Sequence, residues 1–143
     1  MRTMSVLGYF FMAGGLLGLL YSHSLLSPSP LVIGLQAVAV ALMVWARITF
    51  GRRSFHAAAD TTAGGLVTSG PYRYIRNPIY TSLVLFCFAG AGAHVSRWSA
   101  ALALVVLVGA LGRIVAEERF LRARYPEYAQ YAARTKRLVP FVF

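Results

Sequence analysis

The amino-acid sequence predicts an all-α fold: an integral membrane bundle of about four transmembrane helices, followed by a C-terminal amphipathic helix at the membrane interface. Of the 143 residues, 58% are apolar or aromatic and only 13% are charged, and the mean hydropathy is +0.63. Soluble domains carry about 25% charged residues. This composition disfavours an ordinary soluble enzyme and a disordered chain, and the single cysteine, Cys87, disfavours a disulfide-stapled secreted domain.

Long uncharged tracts define the predicted helices. No charged residue occurs between Arg2 and Arg47, and the serine- and proline-rich segment 22–30 divides that tract in two. The last tract reaches the ~20 residues of a membrane span only if the helix continues past Arg113. Barrels are excluded because the runs are continuously apolar rather than alternating. The predicted spans are 4–21, 31–50, 77–96 and 98–116.

The distribution of the basic residues predicts the orientation. The net charge is +10, and on so apolar a chain it indicates membrane lipids rather than nucleic acid as the partner. With both termini in the cytoplasm, every basic residue except Arg97 lies on the inner side. We therefore expect a multi-pass protein with cytoplasmic termini. The excess of arginine over lysine suggests a GC-rich genome, and the bacterial inner membrane is the expected location.

The inner loop 51–78 is too long for a simple connection, and its Gly70-Pro71 turn and aromatic residues favour an ordered structure. Pro78 suits the first turn of the third helix, with Asn77 as the N-cap. Taken alone, Arg73 and Arg76 fit anchors for lipid phosphate.

The end of the fourth helix carries unusual charges. Arg113 and Glu117 are four residues apart and share one helical face, and Glu118 follows directly. Ionisable groups near membrane depth are costly and usually face an interior cavity. An interfacial ion pair explains Arg113 with one glutamate, but it does not explain the second.

The tail reads as an amphipathic helix at the cytoplasmic interface. Pro126 suits its first position, and Tyr128 and Tyr131 line one face. The basic residues Arg134, Lys136 and Arg137 would lie at its far end, and segment 138–143 is expected to dock on the bundle. No metal site is predicted, since the three histidines are far apart.

Several of these motifs together resemble a known family. They are Gly70-Pro-Tyr-Arg-Tyr-Ile-Arg-Asn-Pro-Ile-Tyr80, the Leu66-Val67 pair before it, and the Glu117-Glu118 pair about 37 residues after it. In this order they resemble the isoprenylcysteine carboxyl methyltransferase and phospholipid methyltransferase superfamily. Segments 125–131 and 139–140 extend the resemblance, which covers about residues 47–143.

The resemblance implies an integral-membrane enzyme that uses S-adenosylmethionine without a Rossmann domain and releases S-adenosylhomocysteine. We expect one membrane-embedded domain, 1–143, in which 1–50 forms helices 1 and 2 and 51–143 forms the cofactor-binding core. Arg113 and Glu117 would be the catalytic residues. Asn77 stands where the carboxyl methyltransferase branch usually has histidine. The implied cofactor contacts are Leu66, Val67, Tyr72, Arg76, Asn77, Tyr80, Glu117 and Glu118.

The predicted function is methyl transfer to a lipophilic small molecule at the cytoplasmic face, either the carboxylate of an isoprenylcysteine-like molecule or another small lipid. The alternatives are a phospholipid amine N-methyltransferase, an NADPH-dependent membrane reductase and a non-enzymatic membrane subunit. The expected partners are this acceptor and membrane lipids, with no nucleic acid, and the chain is expected to be a monomer or homodimer.

Overall fold

The computed structural model describes residues 2–51 and 65–143. In these ranges the chain forms α-helices and no strand, which confirms the predicted all-α class. The predicted order of the inner loop falls largely on residues 52–64, outside the described residues. A short 3₁₀ turn, Gly70–Arg73, precedes the third helix. The α-helices are α1 (Arg2–Tyr21), α2 (Pro30–Phe50), α3 (Pro78–Ala93), α4 (Arg97–Arg124) and α5 (Tyr128–Arg134).

Three of the described helices, α1, α2 and α4, are long and apolar enough to cross a membrane. Helix α4 continues through Arg113, as its span requires, and at 28 residues it is about 42 Å long. The fourth apolar helix, α3, has 16 residues and is about 24 Å long, shorter than its predicted span. The helix begins at Pro78 and ends at Ala93. A turn at His94 follows, so the last residues of the predicted span, 94–96, are not helical.

Helices α1 and α4 pack antiparallel with their backbones in contact. A Cβ added to Gly8 would lie 2.7 Å from the carbonyl oxygen of Gly109, and a Cβ added to Gly109 would lie 2.6 Å from that of Gly8. One turn further along α4, the same Gly8 Cβ would lie 2.8 Å from Cγ of Arg113. Small residues allow this close approach between apolar helices. The start of α1 therefore lies beside the charged part of α4.

The opposite end of the bundle is closed by a polar contact between loop and helices. The buried side-chain amide of Gln36 donates to the carbonyl of Leu25 at 2.7 Å and to that of Phe86 at 3.3 Å. Gly90 leaves room for the loop, since a Cβ there would lie only 2.0 Å from the Leu25 oxygen. The apolar core cluster lies at this end and consists of Leu19, Leu25, Cys87, Ala91, Ala103 and Val106.

The C-terminal helix differs from its prediction at both ends. Pro126 is not at its first position, because residues 126–127 form a turn and α5 begins at Tyr128. Its far end is Arg134, so Lys136 and Arg137 lie beyond it. Tyr128 and Tyr131 do share one face, with ring centroids 5.8 Å apart. Both are buried, so this face packs against the protein.

Segment 138–143 docks on the bundle through its first residue, Leu138, whereas residues 139–143 are exposed, so the docking predicted for the whole segment is observed only at its start. Leu138 is buried, and its backbone amide donates to the carbonyl of Phe143 at 2.7 Å. The ring of Phe143 lies 5.5 Å from the guanidinium carbon of Arg137. The segment therefore folds back on Arg137, which is paired with Glu118 of α4.

Candidate active site

The start of α3 and the C-terminal segment are joined by backbone hydrogen bonds. Ile75 and Lys136 form an isolated parallel bridge, in which the Arg76 amide donates to the Lys136 carbonyl at 2.7 Å and the Lys136 amide to the Tyr74 carbonyl at 3.1 Å. The hydroxyl of Thr81 adds a 2.7 Å bond to the carbonyl of Leu138. These contacts bring Arg137, from the C-terminal segment, next to Arg76 and Asn77, which directly precede α3.

Glu118 is the acceptor on which these three side chains converge. Its Oε1 accepts from Nε of Arg76 at 3.0 Å and from Nδ2 of Asn77 at 3.1 Å. Its Oε2 accepts from Nε and Nη2 of Arg137 at 3.2 and 3.0 Å. Only 3% of Glu118 is exposed. A carboxylate buried so deeply needs this compensation, and it holds α4, the start of α3 and the C-terminal segment together.

Arg76 and Asn77 do not have the roles that the sequence suggested for each alone, a lipid-phosphate anchor and a helix N-cap. Nη1 of Arg76 donates to the carbonyls of Ala132, at 2.8 Å, and Thr135. Arg76 therefore points into the protein and is not a lipid-phosphate anchor, whereas Arg73 is exposed. Asn77 occupies the N-cap position of α3, but its side chain makes no capping bond. Its amide instead donates to Glu118.

Glu117 belongs to a second cluster, with Tyr80 and Arg113. The Tyr80 hydroxyl donates to Oε1 of Glu117 at 2.5 Å, and Nη2 of Arg113 donates to the same oxygen at 3.0 Å. Nε of Arg113 donates to the Tyr80 oxygen at 2.8 Å. The predicted contact between Arg113 and Glu117, which are four residues apart, is thus present. The Glu117 side chain is 24% exposed, and within the described ranges its Oε2 accepts no hydrogen bond, which leaves that oxygen open to a ligand.

Tyr72 lies in the 3₁₀ turn between the two clusters and α2. Its ring packs on Phe50 with centroids 5.6 Å apart, and its carbonyl accepts from the Tyr131 hydroxyl at 2.8 Å. Burial raises the pKa of Tyr72 well above its usual value, and the charge of Glu117 raises it further, against an opposing effect of Arg47. The Tyr72 hydroxyl is therefore a protonated donor.

The structure thus places six of the predicted site residues in two linked clusters, with Tyr72 beside them. Leu66 and Val67 are half-buried in the extended segment that leads into the 3₁₀ turn, and their contact with a cofactor stays a prediction. In the part of the chain that the structure describes, no group of three His, Cys, Asp or Glu residues is arranged to hold a metal. The clustered residues are Arg76, Asn77, Tyr80, Arg113, Glu117 and Glu118.

Arg137 is the site residue that the sequence analysis missed. It was assigned to the far end of the tail helix, but it pairs with Glu118, which lies 19 residues earlier in the chain. The available signal was the scarcity of acids, since four carboxylates face fourteen basic residues. A buried carboxylate therefore has many possible partners, and only the fold selects among them.

The phospholipid methyltransferase family model matches residues 30–128. The chain belongs to the phospholipid methyltransferase family. It is a membrane protein of the methyltransferase type, with three described helices that can span a membrane. The matched region includes Glu117 and Glu118 and the Arg76-Asn77 pair before α3. Helix α1 and Arg137 lie outside it.

The chain is similar to the cobalt-zinc-cadmium resistance protein CzcN of Cupriavidus metallidurans. The two are 32% identical over 133 residues, which cover 87% of this chain and 58% of the relative. The chain therefore spans less than two thirds of that protein's length. No solved structure matches the chain significantly.

Proposed function

We propose that this chain is an S-adenosylmethionine-dependent methyltransferase that acts on a lipophilic acceptor at the cytoplasmic face of a bacterial inner membrane. Membership of the phospholipid methyltransferase family supports methyl transfer. The observation that carries the proposal is the pair of inward-facing glutamates. One of them, Glu118, is fixed by the protein, while the other, Glu117, keeps one oxygen for a ligand.

The chemistry of the donor fits these residues. S-adenosylmethionine presents a sulfonium cation, an α-amino group and a ribose diol, all of which are attracted to or donate to a carboxylate. Oε2 of Glu117 can accept from the amine or the diol. Arg76 already uses Nε and Nη1 within the protein, so only its Nη2 is left for the cofactor carboxylate. Glu118 contributes by holding Arg76 and Asn77 in place.

The bound donor supplies an electrophilic methyl group, which an acceptor atom attacks in line with the carbon–sulfur bond. The new bond forms as the carbon–sulfur bond breaks, and the bonding pair stays on sulfur. The protein's task is chiefly alignment, which contributes about 7–11 kcal/mol in favourable cases. A carboxylate acceptor needs no base, and Arg113 orients it. An amine acceptor must be neutral, and Glu117 would then take its proton.

The arrangement of the helix ends supports a cytoplasmic site. The start of α1, the end of α4 and the start of α3 meet at one end of the bundle, through the Gly8–Gly109 and Arg76–Glu118 contacts. The basic residues of the described ranges lie towards this end, with Arg97 at the start of α4 as the exception. By the positive-inside rule, this distribution supports a cytoplasmic location for this end and for both termini.

N-methylation of a phospholipid amine is the second candidate. In this candidate the open oxygen of Glu117 faces the acceptor amine instead of the cofactor, and a partly exposed carboxylate there is suited to remove a proton. The family's description also names phospholipids. The two candidates differ in the chemical stability of the product, since methyl esters are hydrolysed by base and methylamines are not.

Transfer of a radiolabelled methyl group tests the proposal. The purified protein in lipid nanodiscs is incubated with labelled S-adenosylmethionine and a bacterial lipid extract, and the lipid fraction is then treated with base. We expect the label to be released as volatile methanol for a methyl ester, or to stay non-volatile for the second candidate. Glu117→Gln should lower the rate about 10- to 100-fold, as the loss of a charge-assisted hydrogen bond implies. Arg119→Ala, on the exposed neighbour, should leave it unchanged. Absence of label from all lipids would contradict the proposal.

A further inference from the structure

Segment 138–143 presents apolar side chains outside the protein, at the end of the bundle that holds the candidate site. Its first residue, Leu138, is buried, whereas the ring of Phe141 is 86% exposed. The tail helix α5, by contrast, turns its two tyrosines inward. The apolar surface that was expected on the tail helix is therefore carried by this segment. Its exposed apolar residues are Val139, Phe141, Val142 and Phe143.

We propose that segment 138–143 inserts into the membrane leaflet on the side of the candidate site. Its apolar side chains contact the acyl chains of that leaflet, and the exposed basic residues before it, Arg134 and Lys136, contact anionic headgroups. The segment takes no part in the methyl transfer proposed above. The contact with lipid can therefore be tested without S-adenosylmethionine.

The depth of the segment follows from its contact with α3. The hydroxyl of Thr81, in the first turn of α3, donates to the carbonyl of Leu138 at 2.7 Å. Helix α3 reaches from the Glu118 cluster to the loop at the opposite end of the bundle, yet it is only about 24 Å long. The hydrocarbon core of a bilayer is about 30 Å thick. The first turn of α3 therefore lies at or inside the boundary of that core, and segment 138–143 lies beside it.

The backbone of the segment is suited to this poorly hydrated region. Pro140 has no amide hydrogen, and four of the other five amides donate to carbonyls within the segment. An irregular segment that makes its own hydrogen bonds loses few bonds to water when it moves into the interface. The four donating amides are those of Leu138, Val139, Val142 and Phe143.

The conformation of Phe141 also indicates a contact outside the protein. Its backbone lies in the left-handed region, with a φ of 65°, where bulky side chains are rarely found because of steric repulsion. In water, an exposed phenylalanine gains nothing that offsets this cost. In the leaflet, burial of the ring among acyl chains offsets it.

The charges next to the segment favour an anionic leaflet as the partner. Arg134 and Lys136 are exposed, and no acidic residue occurs in 128–143. Basic residues near a membrane surface are attracted to anionic lipids. A short apolar surface flanked by basic side chains is typical of segments that lie in the membrane interface.

Collision measurements with a nitroxide label test the inference. The protein carries Cys87→Ala, so that the label attaches only at Phe141→Cys or, as the control, at Gln130→Cys on the exposed side of α5. Both proteins are studied in nanodiscs that contain anionic lipid. We expect the label at 141 to collide more with oxygen than with a water-soluble nickel chelate, and the label at 130 to show the reverse.

Two results would overturn the inference. One is a label at 141 that meets the nickel chelate as often as the label at 130, because the segment then lies in water. The other is a label at 141 that is shielded from both reagents, because a protein partner then covers the segment.

The sign of a stability change provides a second test. Asparagine tolerates the left-handed region better than phenylalanine, so Phe141→Asn should stabilise a segment that lies in water. In the leaflet the same change removes apolar burial and places an amide in lipid. We therefore expect Phe141→Asn to lower the midpoint of thermal unfolding in nanodiscs by about 3 °C or more, and Gln130→Asn to leave it unchanged. An unchanged or raised midpoint for Phe141→Asn would overturn the inference.

Discussion

Removing Arg76 is the most informative perturbation of the buried charge network. Arg76→Ala deletes the 3.0 Å ion pair with Glu118 and the bonds to the carbonyls of Ala132 and Thr135. Glu118 keeps Asn77 and Arg137 as donors, but it stays buried with less compensation. Breaking a buried pair by removing one partner costs about 3–5 kcal/mol. The two orphaned carbonyls add to this cost.

The measurement is equilibrium unfolding of the purified protein in mixed micelles with increasing dodecyl sulfate. We expect Arg76→Ala to lose at least ~3 kcal/mol of unfolding free energy. Arg119→Ala is the control, because that side chain is exposed beside Glu118, and it should change stability by no more than about 0.5 kcal/mol. A loss below ~1 kcal/mol for Arg76→Ala, the range of surface ion pairs, would refute the reasoning that Glu118 depends on Arg76.

The remaining stability predictions concern one glycine, one amide and one tyrosine. Gly90→Ala should destabilise by about 1–3 kcal/mol, because the new Cβ meets the Leu25 carbonyl at 2.0 Å; Gly92→Ala, with open space around it, should be neutral or stabilising in the same assay. Asn77→Ala should cost about 1–3 kcal/mol, since Glu118 and the Arg137 carbonyl each lose a donor; no loss of stability in unfolding curves would contradict this. Burial raises the pKa of Tyr128 to about 12, so its contribution to stability is complete below about pH 10 and is lost as the pH rises towards 12; stability that rises over this range, while tyrosinate absorbance is followed, would contradict it.

The sequence predicted those features that depend on local pattern. Uncharged tracts located α1 and α2 to within two residues, and Pro78 marked the start of α3. The spacing of Arg113 and Glu117 predicted their contact, because residues four apart on a helix meet whatever the rest of the fold does.

The features that it could not predict depend on contacts between distant segments. The Arg137–Glu118 pair, the burial of Arg76 and the use of the Asn77 amide all require the C-terminal segment to lie against the start of α3. The prediction that α5 begins at Pro126 was also wrong. Residues 126–127 form a turn, and α5 begins at Tyr128, which is buried together with Tyr131. The preference of proline for the first turn is local and carries no information on this packing.

Calorimetric titration of the purified protein with S-adenosylhomocysteine tests the central claim most directly. The account predicts saturable binding at a single site, weakened about tenfold or more in Glu117→Gln through the loss of a charge-assisted hydrogen bond, and little changed in Arg119→Ala. NADPH should give no heat of binding. Absence of any response to S-adenosylhomocysteine, or binding of NADPH in its place, would contradict the account.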